Sequence, residues 1–181
     1  MNLLGHNKGP ALEGGGGWKT HCWRTARAAL LPILPVEVVR LRVNRAKELG
    51  LPYKTYAGIR AQTGHDVVAF LFSSNALGLL AGQEGLPARL ERLGQIIGAD
   101  RIGLAVAPLP VAALAALPGL DAAYAAPRAF ASWREARSGL RHALGAVPSD
   151  RVLLISDAPL EPEWAVAARL AGCLPARQYF A

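Results

Sequence analysis

The sequence predicts an α/β protein in which a basic helical segment precedes a three-layer α/β domain with a mostly parallel sheet of four or five strands. Three observations lead to this fold class. From Asp66 onward, short β-prone runs alternate with helical patterns, and the strand–helix unit recurs four times. These runs are largely apolar, as in parallel strands that are covered on both faces. The excess positive charge lies entirely before Asp66.

The net charge of +7 is unevenly distributed along the 181 residues. Residues 1–65 contain ten Lys and Arg against three Glu, whereas residues 66–181 contain ten Arg and ten acidic residues. A one-sided positive field favours a nucleic acid, an anionic membrane surface or an acidic partner. The alternative is that the charge serves solubility alone. A composition of 52% hydrophobic and 18% charged residues excludes a chain that is disordered throughout.

Several functional classes are disfavoured by missing patterns. Cys22 and Cys173 form no C-x-x-C pair, so neither a zinc ribbon nor a redox motif is expected, and a cytoplasmic location is the default. The histidines are scattered, and we predict neither a metal nor a cofactor. The N-terminus has no basic start followed by an apolar run, so we expect no secretory signal. Residues 102–120 lack charge but contain three prolines, so we expect no membrane span.

Composition divides the chain into three parts. Residues 1–17 form a glycine-rich tail, residues 18–65 a basic helical segment, and residues 66–181 an α/β domain. The tail cannot support regular structure by itself, because glycine is entropically costly to order. Within the basic segment, helices are predicted at residues 18–31, 35–49 and 53–62. Gly50 is expected to adopt a left-handed cap, and Pro52 to begin the last of these helices.

Residues 45–64 (RAKELGLPYKTYAGIRAQTG) resemble the helix-turn-helix pattern of DNA-binding proteins. Ala46 and Gly50 have the Ala-x-x-x-Gly spacing of that motif. Tyr56 and Ile59 occupy positions where the motif places apolar core residues. The resemblance implies that the second helix of the pair enters a DNA groove.

The sequence departs from this pattern at Pro52 and at Tyr56, where a small aliphatic residue is commoner, and Gly58 weakens the second helix. These departures leave open an αα-hairpin that merely packs on the α/β domain. The charge favours a nucleic acid as the partner, because clustered basic side chains that neutralise phosphates release counterions, and this release increases the binding affinity. Tyr53 and Tyr56 either stack on bases or pack in the core. The predicted nucleic-acid-binding residues are Arg40, Arg42, Arg45, Lys47, Tyr53, Lys54 and Arg60.

The elements of the α/β domain follow from apolar runs and capping residues. Residues 67–72 are predicted as the first strand, with a buried helix from Asp66 as the competing interpretation. Ser73, Ser74 and Asn75 then provide an N-cap for a helix at residues 76–80. Later strands are predicted at residues 101–107, 121–126, 151–156 and, as a short edge strand, 176–180. Later helices are predicted at residues 86–97, 110–117, 130–144 and 161–171.

Polar side chains collect where the predicted strands end. Open α/β sheets bind ligands at the carboxyl ends of their strands, where helix N-termini offer free N–H groups to an anion. The predicted ligand-binding residues are Ser73, Ser74, Asn75, Arg128, Ser156 and Asp157. Ser73 to Asn75 are expected to hold an anion to which Arg128 adds charge. Asp157 is a candidate metal ligand or base. The alternative is that these residues only cap turns.

No catalytic fingerprint accompanies this edge. The sequence contains no G-x-G-x-x-G after a strand, no Walker A lysine motif and no G-x-S-x-G elbow. The S-D-A-P sequence that begins at Ser156 is similar to a segment of the haloacid-dehalogenase-like phosphohydrolases. No strand here ends in the D-x-D pair that their chemistry requires.

Three functional hypotheses remain. The first is a nucleic-acid-associated regulatory or accessory protein that uses its basic helices. The second is an enzyme or binding protein for a nucleotide or another phosphorylated small molecule at the carboxyl edge of the sheet. The third is a structural subunit of an assembly, in which the tail is ordered by neighbouring copies or partners.

Overall fold

The structure, a computed structural model, describes residues 34–79 and 87–181. Arg40–Ala181 form one compact unit. The helices are α1 (Val36–Glu48), α2 (Tyr53–Thr63), α3 (Pro87–Gly94), α4 (Val111–Ala115), α5 (Trp133–Leu144), α6 (Pro162–Ala168) and α7 (Ala176–Tyr179), with a 3₁₀ turn at Ser149–Arg151. The strands are β1 (Ala69–Ser73), β2 (Asp100–Ala105), β3 (Ala122–Ala125), β4 (Val152–Ser156) and β5 (Gly172–Pro175).

The five strands form one sheet in the order β3-β2-β1-β4-β5, and every neighbouring pair is parallel. Ala69 of β1 aligns with Asp100 of β2 on one side and with Val152 of β4 on the other. The chain runs from β1 toward one edge of the sheet and from β4 toward the other, so the loops after these two strands diverge. The predicted α/β fold class is confirmed, with a sheet that is parallel throughout.

Alternate residues of the central strands bury two separate hydrophobic cores. Phe70 and Phe72 belong to one core, to which α1, α2, α3, α4 and α7 contribute. Leu71 belongs to the other, together with Leu140 of α5 and Trp164 of α6. Burial on both faces explains why β1 reads as a continuous apolar run, and β1 is a strand rather than the competing buried helix.

The α1–α2 hairpin contains the left-handed glycine that the sequence predicts. Gly50 has a φ of +66°, and its N–H donates to the carbonyl oxygen of Lys47 at 3.0 Å. The N–H of Leu51 donates to the carbonyl oxygen of Ala46 at 2.8 Å, which completes a Schellman arrangement. Ala46 and Tyr56 are buried in the same core as β1, so residues on both sides of the predicted 65/66 boundary share this core.

Arg45 ties α1 to the amino-terminal edge of the sheet. Its guanidinium donates to the carboxylates of Asp66 and Glu48, each at 2.9 Å. It also donates to the carbonyl oxygens of Ile97 at 3.0 Å, Val67 at 3.1 Å and Gly98 at 2.8 Å. Burial opposes the charge, but the hydrogen bonds to Glu48 and Asp66 outweigh it and raise the pKa of Arg45.

The helix predicted at residues 76–80 is wrong within the described residues, because residues 74–78 form a hydrogen-bonded turn. Ser73 Oγ does accept a hydrogen bond from the N–H of Ala76 at 3.0 Å, as a cap would. Gly78 then adopts a φ of +74°, and the N–H of Leu79 donates to the carbonyl oxygen of Ser74 at 2.9 Å. This left-handed residue ends the turn after a single revolution.

The edge strand predicted at residues 176–180 is also wrong, because β5 lies at Gly172–Pro175 and α7 follows it. Pro175 provides the extended residue before α7, and Tyr179 turns back into the core, where its hydroxyl donates to the carbonyl oxygen of Leu49 at 3.0 Å. The chain reaches β5 early because Arg169, at a φ of +56°, ends α6 at Ala168. The helix predicted at residues 18–31 lies outside the described residues.

We expect Arg45→Gln to lower the free energy of unfolding by about 2–3 kcal/mol, because Asp66 Oδ2 and three carbonyl oxygens lose the hydrogen bonds that Arg45 donates to them. Chemical denaturation measures this loss. Lys47→Gln is the matched control, since Lys47 is an exposed cation on the same helix. Equal stability of the two variants would contradict the bridging role of Arg45.

We expect Asp121 to make a pH-dependent contribution to the free energy of unfolding. Hydrogen bonds from the Arg101 side chain, with the Arg101 N–H and its charge, outweigh burial and lower the pKa of the Asp121 carboxyl. The contribution is therefore present above the ordinary carboxyl pKa and is lost as the pH falls through the lowered value. Asp121→Asn should cost about 0.5 kcal/mol at neutral pH, a small figure because the pair is partly exposed, and nothing in strong acid. Denaturation at several pH values, with exposed Glu91→Gln as the control, measures the difference, and a constant gap across pH would contradict it.

Candidate ligand site at the carboxyl edge of the sheet

A buried carboxylate joins the loops that follow the two central strands. The side chain of Glu161 is 2% exposed and accepts four hydrogen bonds. From the loop after β1, Ser73 Oγ donates to Oε2 at 2.8 Å and Asn75 Nδ2 donates to Oε1 at 2.9 Å. From the loop after β4, the N–H groups of Asp157 and Ala158 donate to Oε2 at 2.8 and 3.2 Å. We call these five residues the Glu161 latch.

The sheet topology explains the position of the latch. The chain departs from β1 and β4 in opposite directions, so a gap opens between their two loops at the carboxyl edge. Glu161 stands at the N-cap position of α6, and Pro162 fixes the first turn of that helix. The glutamate side chain thereby reaches the gap and satisfies donors from both loops.

Three of the predicted ligand-binding hydroxyls are engaged inside the protein. Ser73 Oγ donates to the carboxylate of Glu161, and Ser74 Oγ accepts a hydrogen bond from the N–H of Val106 at 3.1 Å. Ser156 Oγ lies 3.1 Å from Cys173 Sγ, and burial raises the pKa of that thiol. All three serines are buried. They shape the edge of the sheet and leave contact with a ligand to neighbouring side chains.

The other predicted residues remain accessible at this edge. Asn75 and Arg128 line a cavity beside the latch. Asp157 is exposed and lies outside this cavity lining, with its carboxylate 4.0 Å from the guanidinium of Arg89. Arg128 is exposed, and within the described residues no hydrogen bond or ion pair engages its side chain. The sequence thus located two lining residues of the cavity.

The cavity has a volume of about 360 Å³ and a largely apolar wall. Apolar residues from the loops after β2, β3 and β4 and from α5 and α6 form this wall, while Glu161 forms part of its floor. The lining residues are Asn75, Val106, Pro127, Arg128, Ala129, Phe130, Ala131, Trp133, Ala136, Ala158, Pro159, Leu160, Glu161, Glu163, Trp164 and Ala167. A space of this size and composition matches small-molecule sites in general.

Two exposed aromatic rings stand at the mouth of the cavity. Phe130 is 91% exposed and adopts a φ of +60°, which is uncommon for a bulky residue. Trp133, the first residue of α5, is 61% exposed. Ser132 caps this helix through a reciprocal capping box with Glu135. Hydrogen bonds between neighbouring residues therefore fix where the helix begins and hence where Trp133 lies. Hydrogen bonds from Ser132, with a further contribution from the charge of Arg128, lower the pKa of the Glu135 carboxyl.

The charged side chains that line the cavity differ in how accessible they are to a ligand. The carboxylate of Glu161 is surrounded by its four donors, whereas Glu163 is exposed at the rim. Arg128 is the cation of the lining. A ligand that enters the cavity therefore meets a largely apolar wall, the guanidinium of Arg128, the amide of Asn75 and the exposed carboxylate of Glu163.

The residues predicted to bind nucleic acid lie on the α1–α2 hairpin in different environments. Arg45 is held in its five-partner network, and Arg60 lies 3.9 Å from Asp66 and 3.4 Å from the Tyr56 hydroxyl. Tyr53 is half-buried against the core. Arg42 is half-buried, and its Nε lacks a hydrogen-bond partner in the described structure. The exposed members of the set are Arg40, Lys47 and Lys54.

Sequence reasoning missed Glu161 and Trp164 as parts of the site. The helix was predicted to begin at Glu161, but no role was given to its side chain. A usable signal was present: an acidic residue placed four positions after Asp157 and directly before Pro162, in the loop that follows a buried strand. Trp164 had the weaker signal of a large apolar residue in the first turn of an Ala-rich helix.

Within the described ranges, no group of three or more His, Cys, Asp and Glu side chains is arranged to hold a metal ion. No helix in the same ranges has the length and apolar character needed to cross a bilayer. Comparisons with protein-family models, curated proteins and solved structures gave no match for the chain.

We expect Glu161→Gln to lower the free energy of unfolding by about 3 kcal/mol, because the amide group cannot accept all four hydrogen bonds and places an N–H₂ beside donors. Urea denaturation at neutral pH measures the effect. Glu163→Gln, two residues away and exposed, is the matched control. A loss shared equally by both variants would show that the latch is not what stabilises this edge.

Proposed function

We propose that the protein binds a small phosphorylated molecule with a planar apolar body, such as a nucleotide, in the cavity beside the Glu161 latch. The observation that carries the proposal is the position of the cavity. It lies beside the loops after β1 and β4, where the strand order reverses, and open parallel sheets bind their ligands at this point.

The lining supports both parts of such a ligand. The indole of Trp164 and the exposed rings of Phe130 and Trp133 offer apolar surface to a planar group. Arg128 offers a guanidinium that forms no hydrogen bond or ion pair with a described side chain, although its charge acts on the Glu135 carboxyl, and guanidinium groups recognise phosphate oxygens in a bidentate manner. The volume of about 360 Å³ falls within the usual range for small-molecule sites.

Binding is the activity that this lining supports. The side chains that carry most catalytic chemistry are engaged here, since the hydroxyls of Ser73 and Ser74 and the carboxylate of Glu161 satisfy protein groups. The exposed carboxylates near this edge are those of Glu163, which lines the cavity, and Asp157, whose N–H belongs to the latch; Asp157 is the residue we would test first for turnover.

Isothermal titration with adenosine 5′-monophosphate, adenosine and inorganic phosphate tests the proposal. The nucleotide should bind more tightly than either fragment, because it alone contacts the apolar wall and Arg128 together. Arg128→Gln should weaken nucleotide binding roughly 10- to 100-fold by removing one charge-assisted contact. Adenosine binding should be unchanged by the same substitution.

Two further variants distinguish binding in the cavity from a general effect of the protein's positive charge on nucleotide affinity. Arg169→Gln removes an exposed arginine that does not line the cavity, so nucleotide affinity should be retained. Ala131→Trp should abolish binding by filling the space without altering charge. Absence of nucleotide binding, or equal losses in the two arginine variants, would overturn the proposal.

The other two hypotheses stay predictions. Nucleic-acid association through α1 and α2 rests on the exposed side chains of Arg40, Lys47 and Lys54. The exposed residues of α2 include one cation, Lys54, beside Gly58, Ala61 and Gln62, which is a sparse charge for a recognition helix. Participation as an assembly subunit is open to measurement of molecular mass in solution.

A further inference from the structure

Three arginines follow one side of α5, outside the cavity described above. Arg134, Arg137 and Arg141 are spaced three and four residues apart, so they share one face of the helix. Together with Trp133, Ser138 and Ala167 they line a shallow groove of about 380 Å³. We call these three residues the α5 arginine stripe. No acidic side chain lines this groove.

The stripe is not neutralised by the described part of the protein. Within residues 34–79 and 87–181, the side chains of Arg134, Arg137 and Arg141 have no hydrogen-bond or ion-pair partner. The Nε of Arg137 is buried and also lacks an acceptor, which leaves a polar group unsatisfied at the floor of the groove. Three adjacent cations without partners repel one another and favour an anionic occupant.

Exposed aromatic surface adjoins the stripe at the amino-terminal end of α5. Trp133 lines the groove and is 61% exposed, and Phe130 in the preceding loop is 91% exposed. Large exposed aromatic side chains are uncommon on a surface that has no partner. Charge and exposed rings therefore occur together on one continuous stretch of chain.

We propose that the α5 arginine stripe and its neighbouring rings bind single-stranded nucleic acid, with the phosphates on the arginines and bases stacked on Trp133 and Phe130. Proteins that bind single strands combine a basic groove with aromatic stacking platforms in this way. Phe130 and Trp133 also line the cavity, so the two proposals share these rings, whereas the arginines of the stripe lie outside the cavity lining.

The aromatic surface beside the arginines favours a polynucleotide over other anions. Seven residues of α-helix separate Arg134 from Arg141, a rise of about 10 Å. The three charges therefore lie about 5 Å apart along the helix axis, wider than the roughly 3.4 Å charge spacing along one strand of nucleic acid, so spacing alone does not select this partner. An acidic peptide or a lipid surface would use the arginines but would give Phe130 and Trp133 no planar partner.

The sequence pattern predicts nucleic-acid binding by the helices α1 and α2 rather than by α5. The overall charge argument missed α5, because residues 66–181 are neutral in sum. The charges of that region are segregated in space: one flank of α5 carries the arginines, whereas Glu135 lies on the opposite flank of the same helix, beside Gly139.

Fluorescence anisotropy of the full chain with a labelled single-stranded DNA 20-mer tests the proposal across a series of salt concentrations. The triple variant R134Q/R137Q/R141Q should bind at least tenfold more weakly than the unmodified chain. Its plot of log affinity against log salt should be shallower by about 2, from ~0.7 counterions released per phosphate contact on a single strand. Trp133→Ala should weaken binding about five- to 150-fold with an unchanged salt slope.

The control is R169Q/R177Q, which removes two exposed arginines that lie outside the groove and outside α1 and α2, and it should keep wild-type affinity. Thermal denaturation checks that both arginine variants remain folded. Duplex DNA and an abasic 20-mer should bind more weakly than the single strand, since neither offers unpaired bases. A larger loss in the control than in R134Q/R137Q/R141Q, or equal binding of the abasic strand or of a polyglutamate peptide, would overturn the proposal.

Discussion

The Glu161 carboxylate is the interaction on which the carboxyl edge of this sheet depends. A buried carboxylate costs several kcal/mol in lost hydration, and here four hydrogen bonds offset that cost. Ser73 and Asn75 come from one side of the strand-order reversal, and the N–H groups of Asp157 and Ala158 come from the other. The bonds link two loops that the topology would otherwise leave free to separate. The accessible cavity lies beside this link, and Glu161 is one of the residues that line it.

The same carboxylate changes how the predicted anion site should be understood. In an open α/β sheet, the loops after the central strands often present their donors to a ligand. In this protein, donors from both loops are turned toward Glu161, which acts as an internal anion. In our proposal, the ligand is instead held by Arg128 and by the aromatic surface of Trp164, which line the cavity beside the latch. The carboxyl edge of the sheet therefore combines the hydrogen-bonded latch with a largely apolar cavity beside it. This apolar lining is the reason why we propose a ligand with a planar apolar body.

The fold could be predicted from the sequence because its determinants are local or periodic. The apolar run at β1 and the left-handed Gly50 each depend on a few neighbouring residues, and both are found as expected. The contacts that define the site are not local: Glu161 meets Ser73 across 88 residues of chain. Arg45 shows the same limit, because its charge suggested a phosphate contact, whereas Asp66 and the loop before β2 engage it. Hydrophobic periodicity indicates which face of an element is buried, but it does not indicate which polar groups meet.

The central claim is that a phosphorylated ligand occupies the cavity beside the Glu161 latch. The most direct test is an NMR titration of ¹⁵N-labelled protein with adenosine 5′-monophosphate. The account predicts saturable shifts of the Trp164 indole N–H, the Arg128 Nε–H and the Asn75 side-chain amide, with the signals of Lys47 and Lys54 unchanged. Shifts confined to α1 and α2, or no saturable shift at any of the three cavity groups, would contradict it.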